Sequence, residues 1–181
     1  MPNRLITKYL YLLKHKPAQT KILTGGTIVC LGDVVAQQII EEKFNFKKHD
    51  FQRSFRLFLV GVLLIAPFNY TWLDKVLPRV TIFGRKTTKN SLAKVLLDQS
   101  IAAPVACSLY IAGNAVTKNQ DPLKNVELKL FSTVQYFWLL WCPIQFINFR
   151  FVPQMFNMPV VQVTNFLWTS FLSYLDNTKN K

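Results

Sequence analysis

Two acidic residues, Asp33 and Asp98, stand inside long apolar stretches of the sequence and are its sharpest chemical feature. A carboxylate in hydrocarbon is costly unless it is paired, protonated or hydrated, so an acid in such a place indicates either a solute path or a structural pair. Three basic residues near the ends of apolar stretches are candidate partners: Arg53, Arg56 and Lys94. For either acid taken alone, a structural pair is the simpler interpretation.

Amide side chains accompany both acids. Gln37 follows Asp33 by about one helical turn, and Gln99 follows Asp98 directly. In the uncharged run from 130 to 149, residues recurring every three or four positions would form one stripe on a helix: Gln135, Trp138, Cys142, Gln145 and Asn148. An amide in hydrocarbon costs free energy unless it finds a partner. The predicted polar interior, or pore lining, comprises Asp33, Gln37, Asn69, Asp98, Gln99, Gln145 and Asn148.

The sequence contains no pattern typical of an enzyme or a metal centre. Its three cysteines lie within apolar segments, are odd in number and form no C-x-x-C pair, which predicts neither disulfides nor a zinc site. Both histidines lie in basic flanks, and the motifs of serine hydrolases, zinc proteases, P-loops and dinucleotide-binding folds are absent. We therefore predict that the protein is not an enzyme and holds no cofactor or metal ion.

The apolar composition of the chain predicts a membrane protein. Hydrophobic residues make up 50% of the 181 residues and charged residues only 17%, a balance too apolar for an ordinary soluble domain. Lysine and arginine outnumber the acids by 22 to 9, and in a soluble protein the resulting charge of +13 would suggest nucleic-acid binding. Because the basic residues lie between apolar runs, we interpret them as flanks near lipid headgroups and predict no nucleic-acid partner.

Five apolar segments are long enough to be considered as spanning helices. They predict an all-α fold, an integral membrane helical bundle with four to five spans in a single domain over 1–181: 18–40, 51–77, 91–116, 130–149 and 152–175. The last two segments are joined by almost no loop, so they form either two crossings or one kinked hairpin. Residues 1–17 are predicted to form a short amphipathic helix, which fits either the membrane surface or an organellar import signal.

Small residues within the predicted spans favour close packing of helices. The predicted packing positions are Gly26, Gly32, Ala36, Ala102 and Ala106, among which the pairs 32/36 and 102/106 have the four-residue spacing of membrane packing motifs. Two prolines also belong to these packing regions, Pro67 and Pro104. Each removes a backbone hydrogen bond, so we expect both helices to be interrupted or kinked there.

Short motifs stand in a fixed order over nearly the whole chain: Thr24-x-Gly26, Gly32-Asp33, Gln37-Gln38, Asp50-x-x-Arg53-x-x-Arg56, Asp98-Gln99, Trp138-x-x-Trp141, Gln145-x-x-Asn148-Phe149 and Val152-Pro153. Each is weak alone, but their order and spacing resemble the family of the Mpv-seventeen and Sym-one inner-mitochondrial proteins and the twenty-two-kilodalton peroxisomal membrane protein. The chain departs from that family's pattern at Tyr70, Cys142-Pro143 and Asn157, where a histidine, an earlier proline and an arginine are common.

The resemblance implies a small helical-bundle protein of the mitochondrial inner membrane, or alternatively of the peroxisomal membrane, that forms a relatively non-selective channel for small solutes. The alternative function is an accessory structural subunit of a larger inner-membrane (respiratory) complex, with no transport of its own. A proton-coupled carrier using Asp33 or Asp98 is a third hypothesis, against which the absence of an evident internal repeat argues. The expected partners are membrane lipids, anionic ones among them, and a second copy of the chain or a larger inner-membrane complex.

Overall fold

The computed structural model of the chain describes residues 4–40, 49–84 and 87–178, with the backbone only at 39–40 and 169–178. Every secondary-structure element in these ranges is helical, which confirms the all-α prediction. The order is α1 (Arg4–His15), α2 (Pro17–Val35, continued by a π-helical turn Ala36–Ile40), α3 (Phe51–Arg79), α4 (Thr88–Thr117), α5 (Pro122–Phe151) and α6 (Gln154–Thr178).

Three helices of the described chain, α3, α4 and α5, are long and apolar enough to cross a membrane. They contain the predicted spans 51–77, 91–116 and 130–149. Helix α5 begins before the apolar run because Asp121 caps its first turn and Pro122 occupies its first position, where a missing N–H costs nothing. The predicted spans 18–40 and 152–175 coincide with α2 and its π turn and with α6, and as membrane crossings they stay predictions.

The π-helical turns inside α3 and α4 each stand just before a proline. The N–H groups of Ala66, Leu77 and Ala103 bond to carbonyls five residues earlier, and each of these residues precedes a proline: Pro67, Pro78 and Pro104. A proline ring clashes with the carbonyl four residues before it in a regular α-helix, and a wider turn moves that carbonyl away. Helices α3 and α4 therefore continue through Pro67 and Pro104, whereas α3 ends in a short 3-10 turn one residue after Pro78.

The chain divides into two compact units, of which the first comprises residues 1–66 and 159–181. Its helices α2 and α3 approach through Gly26 and Gly61, since a Cβ added at Gly61 would lie 3.0 Å from the Cα of Gly26. Gly25 allows an equally close approach of Ala66 and Gln162. The predicted packing residues Gly32 and Ala36 are buried in this unit. Small residues thus allow the backbones to approach closely where these helices meet.

The second unit comprises residues 67–158 and packs α4 against α5. Its buried apolar side chains include Leu73, Leu77, Ala102, Ala103, Trp141 and Met158, while Ala106 is half-buried. The turn between α3 and α4 is held by Asn90, whose side chain donates to the carbonyl of Val80 at 3.2 Å, and it contains Gly84 in the left-handed region at φ +83°. This turn fixes the start of α4, the helix that carries Asp98.

Candidate functional site

The first polar cluster lies in the first unit and comprises Asp33, Gln37, His49, Arg53 and Ser54. Asp33 Oδ2 accepts hydrogen bonds from Ser54 Oγ at 2.6 Å and from Gln37 Nε2 at 2.9 Å. The other carboxylate oxygen, Oδ1, lies 2.8 Å from Arg53 Nε. Asp33 is therefore a buried carboxylate paired with an opposite charge, so the charges of Asp33 and Arg53 balance within the cluster.

Gln37 joins the end of α2 to the start of α3. Its side-chain oxygen accepts the N–H of Asp50 at 2.7 Å, and its side-chain nitrogen donates to the carbonyl of Asp50 at 3.2 Å. Asp50 in turn caps α3 by accepting the N–H of Arg53 at 2.8 Å. Because Gln37 is fully buried, breaking these bonds would leave several polar groups without partners. The first cluster thus holds two helix ends together.

The first cluster brings a serine, a histidine and an aspartate together, but not in the arrangement of a hydrolase. Ser54 donates its single hydroxyl hydrogen to Asp33, so His49 Nε2, 3.0 Å from Ser54 Oγ, must be the donor of that contact. His49 Nδ1 lies 3.2 Å from Gln38 Nε2. In a catalytic triad the base accepts the serine hydrogen and the acid orients the base, so this geometry points to a structural role.

The second polar cluster lies in the second unit and comprises Trp72, Asp98, Gln99, Gln145 and Asn148. Asp98 Oδ1 accepts a hydrogen bond from Trp72 Nε1 at 2.8 Å. Its Oδ2 accepts from Gln99 Nε2 at 2.8 Å and from Gln145 Nε2 at 2.9 Å. Helices α3, α4 and α5 each contribute a donor, so all three candidate membrane spans meet at this one carboxylate.

Asn148 extends the second cluster toward the start of α6. Its side-chain nitrogen donates to Gln145 Oε1 at 3.0 Å and to the backbone carbonyl of Asn157 at 3.1 Å. Gln145 therefore connects Asp98 to Asn148 by accepting at one end of its amide and donating at the other. This continuous line of polar groups runs through residues that are almost fully shielded from solvent.

Trp138 supports the cluster through the backbone of α4. In the π turn Asp98–Ala102, the N–H of Ala103 bonds to the carbonyl of Asp98, and the next residue in that register, Pro104, has no N–H for the carbonyl of Gln99. Trp138 Nε1 donates to this carbonyl at 3.0 Å. The proline thus frees a carbonyl beside Asp98, and an indole from α5 satisfies it.

The two acids differ in how their charge is compensated. Asp33 has Arg53 at ion-pair distance, whereas Asp98 makes no ion pair within the described ranges and accepts three bonds from neutral N–H groups. Hydrogen bonds from neutral donors stabilise an ionised carboxylate but do not cancel its charge. The second cluster therefore keeps a formal negative charge whenever Asp98 is ionised, and it attracts cations and polarises water more strongly than the first.

The hydrogen bonds sort the residues predicted from the sequence into these two groups. The first cluster contains Asp33, Gln37 and Arg53, and the second contains Asp98, Gln99, Gln145 and Asn148. Three predicted residues are half-buried and belong to neither cluster as defined above: Arg56, Asn69 and Lys94. The sequence did not identify His49, Ser54 or Trp72. Of the stripe predicted on α5, Gln145 and Asn148 belong to the second cluster and Trp138 bonds to the backbone beside it, while Cys142 is half-buried and Gln135 is exposed.

No group of three or more histidine, cysteine or acidic side chains that could hold a metal ion occurs within residues 4–40, 49–84 and 87–178. The polar groups that the second cluster offers are one carboxylate, amide groups and indole N–H groups. Such groups bind water, hard cations and polar solutes, and they offer no nucleophile activated by a neighbouring base.

Comparison with known proteins gives one consistent family. The sequence profile of the Mpv17 / PMP22 family matches residues 117–173. Protein SYM1 of Mycosarcoma maydis is 35% identical over 83% of this chain and 75% of its own length. Mitochondrial inner membrane protein Mpv17 of Danio rerio is 31% identical over 93% of this chain and 95% of its own length. PXMP2/4 family protein 2 of Dictyostelium discoideum is 31% identical over 95% of this chain and 91% of its own length. No solved structure matches the chain.

Proposed function

Because this chain belongs to the Mpv17 / PMP22 family and is a protein of the mitochondrial inner membrane, we propose that it forms a relatively non-selective channel for small solutes in that membrane. In this proposal the protein transfers solutes without covalent chemistry, and none of its residues has a catalytic role.

The observation that carries the proposal is the second polar cluster. It places a carboxylate with no ion-pair partner in the described ranges among donors from three candidate membrane spans. An ionisable residue within a membrane span is expensive to keep, and such residues usually face a bundle interior or a wet cavity where they act on a solute. We assign Asp98, Gln99, Gln145 and Asn148 to the lining of the solute path.

Asp33 receives a different role in the same proposal. Its charge is compensated by Arg53, and its neighbours Gln37 and Ser54 bond to it directly. We therefore propose that the first cluster fastens helix ends, and that it does not select solutes.

Reconstitution of the purified protein in lipid bilayers tests the proposal. The wild-type protein should conduct small ions, and Asp98→Asn should shift the cation-to-anion permeability ratio toward anions by up to about thirtyfold. In water, a unit charge about 4 Å away favours a cation by about 1 kcal/mol and disfavours an anion by about the same amount. Asp33→Asn is the matched control. The folded fraction of this variant should show the same permeability ratio as the wild type.

Two results would contradict the channel. Bilayers with folded wild-type protein that conduct no more than empty ones would remove the transport function, and co-purification with other subunits at a fixed stoichiometry would then favour the accessory-subunit alternative. Conductance with equal ion selectivity in wild-type and Asp98→Asn protein would keep the channel but remove Asp98 from its lining.

We also propose that the partner of helix α1 is an anionic lipid surface. Leu13 is buried in the first unit, while Ile6 and Leu10 are 59% and 40% exposed. The exposed cations Arg4, Lys8, Lys14 and Lys16 lie in or directly after the same helix, and no acid occurs before Asp33. A helix with exposed apolar residues and several cations is suited to lie at the headgroup layer.

A further inference from the structure

Three side-chain amide oxygens in the second unit are buried and accept no hydrogen bond from any described residue: Gln99 Oε1, Asn148 Oδ1 and Asn157 Oδ1. Their residues are only 6%, 0% and 9% exposed. A buried amide oxygen without a donor loses the hydrogen bond that water gives it in the unfolded chain, so such atoms are rare in folded proteins and call for an explanation.

Two of these oxygens belong to the second polar cluster itself. The side-chain nitrogen of Gln99 donates to Asp98 Oδ2, and that of Asn148 donates to Gln145 Oε1. Because the oxygen and nitrogen of an amide share one carbon atom, both unpartnered oxygens lie beside the network that surrounds the carboxylate. Asn157 reaches the same network through its backbone carbonyl, which accepts from Asn148 at 3.1 Å.

Rotating the amides of Gln99 and Asn148 by 180° would not provide the missing donors. If Gln99 were turned over, its oxygen would face Asp98 Oδ2, and two acceptors would oppose each other. If Asn148 were turned over, its oxygen would face two further acceptors, Gln145 Oε1 and the carbonyl of Asn157. The network therefore fixes both orientations and leaves both amide oxygens without a donor.

The second polar cluster has more buried acceptors than donors, and its one charged group is the carboxylate of Asp98. Against the three unpartnered amide oxygens, the second unit has one buried donor without a partner in the described chain, Trp141 Nε1. The carboxylate of Asp98 adds a negative charge that only neutral N–H groups approach. A cation coordinated by several oxygens would give the amide oxygens a partner and would also compensate the charge of Asp98.

We propose that the second polar cluster binds a monovalent alkali cation, held by the amide oxygens of Gln99 and Asn148 close to Asp98. Hard cations take oxygen ligands, and sites for Ca²⁺ or Mg²⁺ use more carboxylates than the single one present here. The carboxylate oxygens keep their three N–H donors and compensate the cation charge at short range. A role of the bound cation in solute passage rests on the proposed channel function. The binding itself does not rest on it and can be measured without a transport assay.

Thermal unfolding of the full-length protein in a neutral detergent tests the binding. At constant ionic strength and pH, replacing choline chloride by potassium or sodium chloride should raise the unfolding temperature with a saturable dependence on the alkali cation, because a ligand that binds only the folded state stabilises it. Choline is too large to enter a site formed by side-chain oxygens.

Variants at one position make the test specific. Asn148→Leu removes the oxygen and should weaken the apparent cation affinity at least about tenfold, a loss of about 1.4 kcal/mol in binding. Asn148→Asp loses the two hydrogen bonds that the amide donates but adds a second carboxylate, so it should shift the preference toward divalent cations. Asn114→Leu, which removes a half-buried amide in α4 outside the cluster, should leave the cation dependence unchanged.

The wild-type protein alone can overturn the proposal, whether or not the variants fold. Equal unfolding temperatures in potassium, sodium and choline chloride would show that no alkali cation is bound. A stability that changes with pH but not with the alkali cation would assign a proton or water to the cluster instead. Channel conductance in a protein without cation-dependent stability would remove this site and leave the proposed function standing.

Discussion

Asp33 and Asp98 show how neighbouring residues decide the role of the same side chain. Both are buried, and both accept a hydrogen bond from a glutamine amide. The first has a guanidinium beside its second oxygen, while the second has an indole N–H there. A guanidinium cancels the charge that an indole only solvates. We therefore expect substitution of the two acids to change different properties of the protein.

Asp33→Asn should lower the free energy of unfolding by about 1–3 kcal/mol. The carboxylate accepts from Arg53, Gln37 and Ser54 through two oxygens, whereas the new amide has one oxygen and a nitrogen that only donates. One end of the amide would therefore oppose a donor. The loss should be smaller than the about 3–5 kcal/mol of a fully buried ion pair, since the Arg53 side chain is 35% exposed and water replaces part of the interaction.

A double-mutant cycle with Arg53→Met measures this pair. If the ion pair carries the effect, Asp33→Asn and Arg53→Met together should destabilise less than the sum of the two single variants. Additive effects of the two substitutions in thermal or chemical unfolding would mean that Asp33 and Arg53 do not interact energetically.

At the scale of helices, the wide turns before Pro67, Pro78 and Pro104 have different consequences along the chain. In the first unit the residues before Pro67 include Gly61, which lies against Gly26 and lets α2 and α3 meet at backbone distance. In the second unit the turn before Pro104 frees the Gln99 carbonyl for Trp138. The same local rule thus serves packing in one unit and the polar cluster in the other.

Gly61→Leu should destabilise the protein by about 1–3 kcal/mol or prevent its folding, because overpacking a tight contact forces backbone shifts. Its Cβ would lie 3.0 Å from the Cα of Gly26, a backbone atom that cannot rotate away. Thermal unfolding in detergent measures the loss. Ser100→Leu, which introduces the same side chain at an exposed position of α4, is the control and should be tolerated. Equal stability of both variants would contradict the close approach of α2 and α3.

The elements and most of the polar residues were predictable because their signal is local, whereas the pairing of these residues in two clusters was not. Apolar runs predicted α3, α4 and α5, and only the start of α5 was missed, because Asp121 and Pro122 extend the helix beyond its apolar part. The partners of Asp98 depend on how each helix is rotated. Gln145 is 47 residues away in sequence, and no periodicity within α4 or α5 could pair it with that acid. Trp72 was missed for a second reason: an indole inside a span is usually a packing residue or an interfacial anchor.

At the scale of the whole molecule, the excess positive charge of +13 needs a partner in the surroundings. Cations near the ends of membrane helices meet the negative surface potential of anionic lipids, which contributes about 1 kcal/mol per lysine or arginine close to the surface. Helix α1 is the clearest case in the described chain, since its exposed lysines accompany exposed apolar side chains. Its amphipathic pattern therefore fits a lasting position at the membrane surface as well as an import signal.

Lys8→Gln combined with Lys14→Gln should remove about 2 kcal/mol of stabilisation by anionic lipid, at about 1 kcal/mol for each lysine. The measurement is the rise in unfolding temperature when anionic phospholipid, compared with zwitterionic phospholipid, is added to the detergent-solubilised protein. The wild-type rise should shrink as salt screens the interaction, and the double variant should show a smaller rise at every salt concentration. Lys8→Arg with Lys14→Arg keeps both charges and should behave like the wild type. If the glutamine and arginine variants respond equally to anionic lipid, α1 does not contact the headgroups, and its pattern is better explained as an import signal.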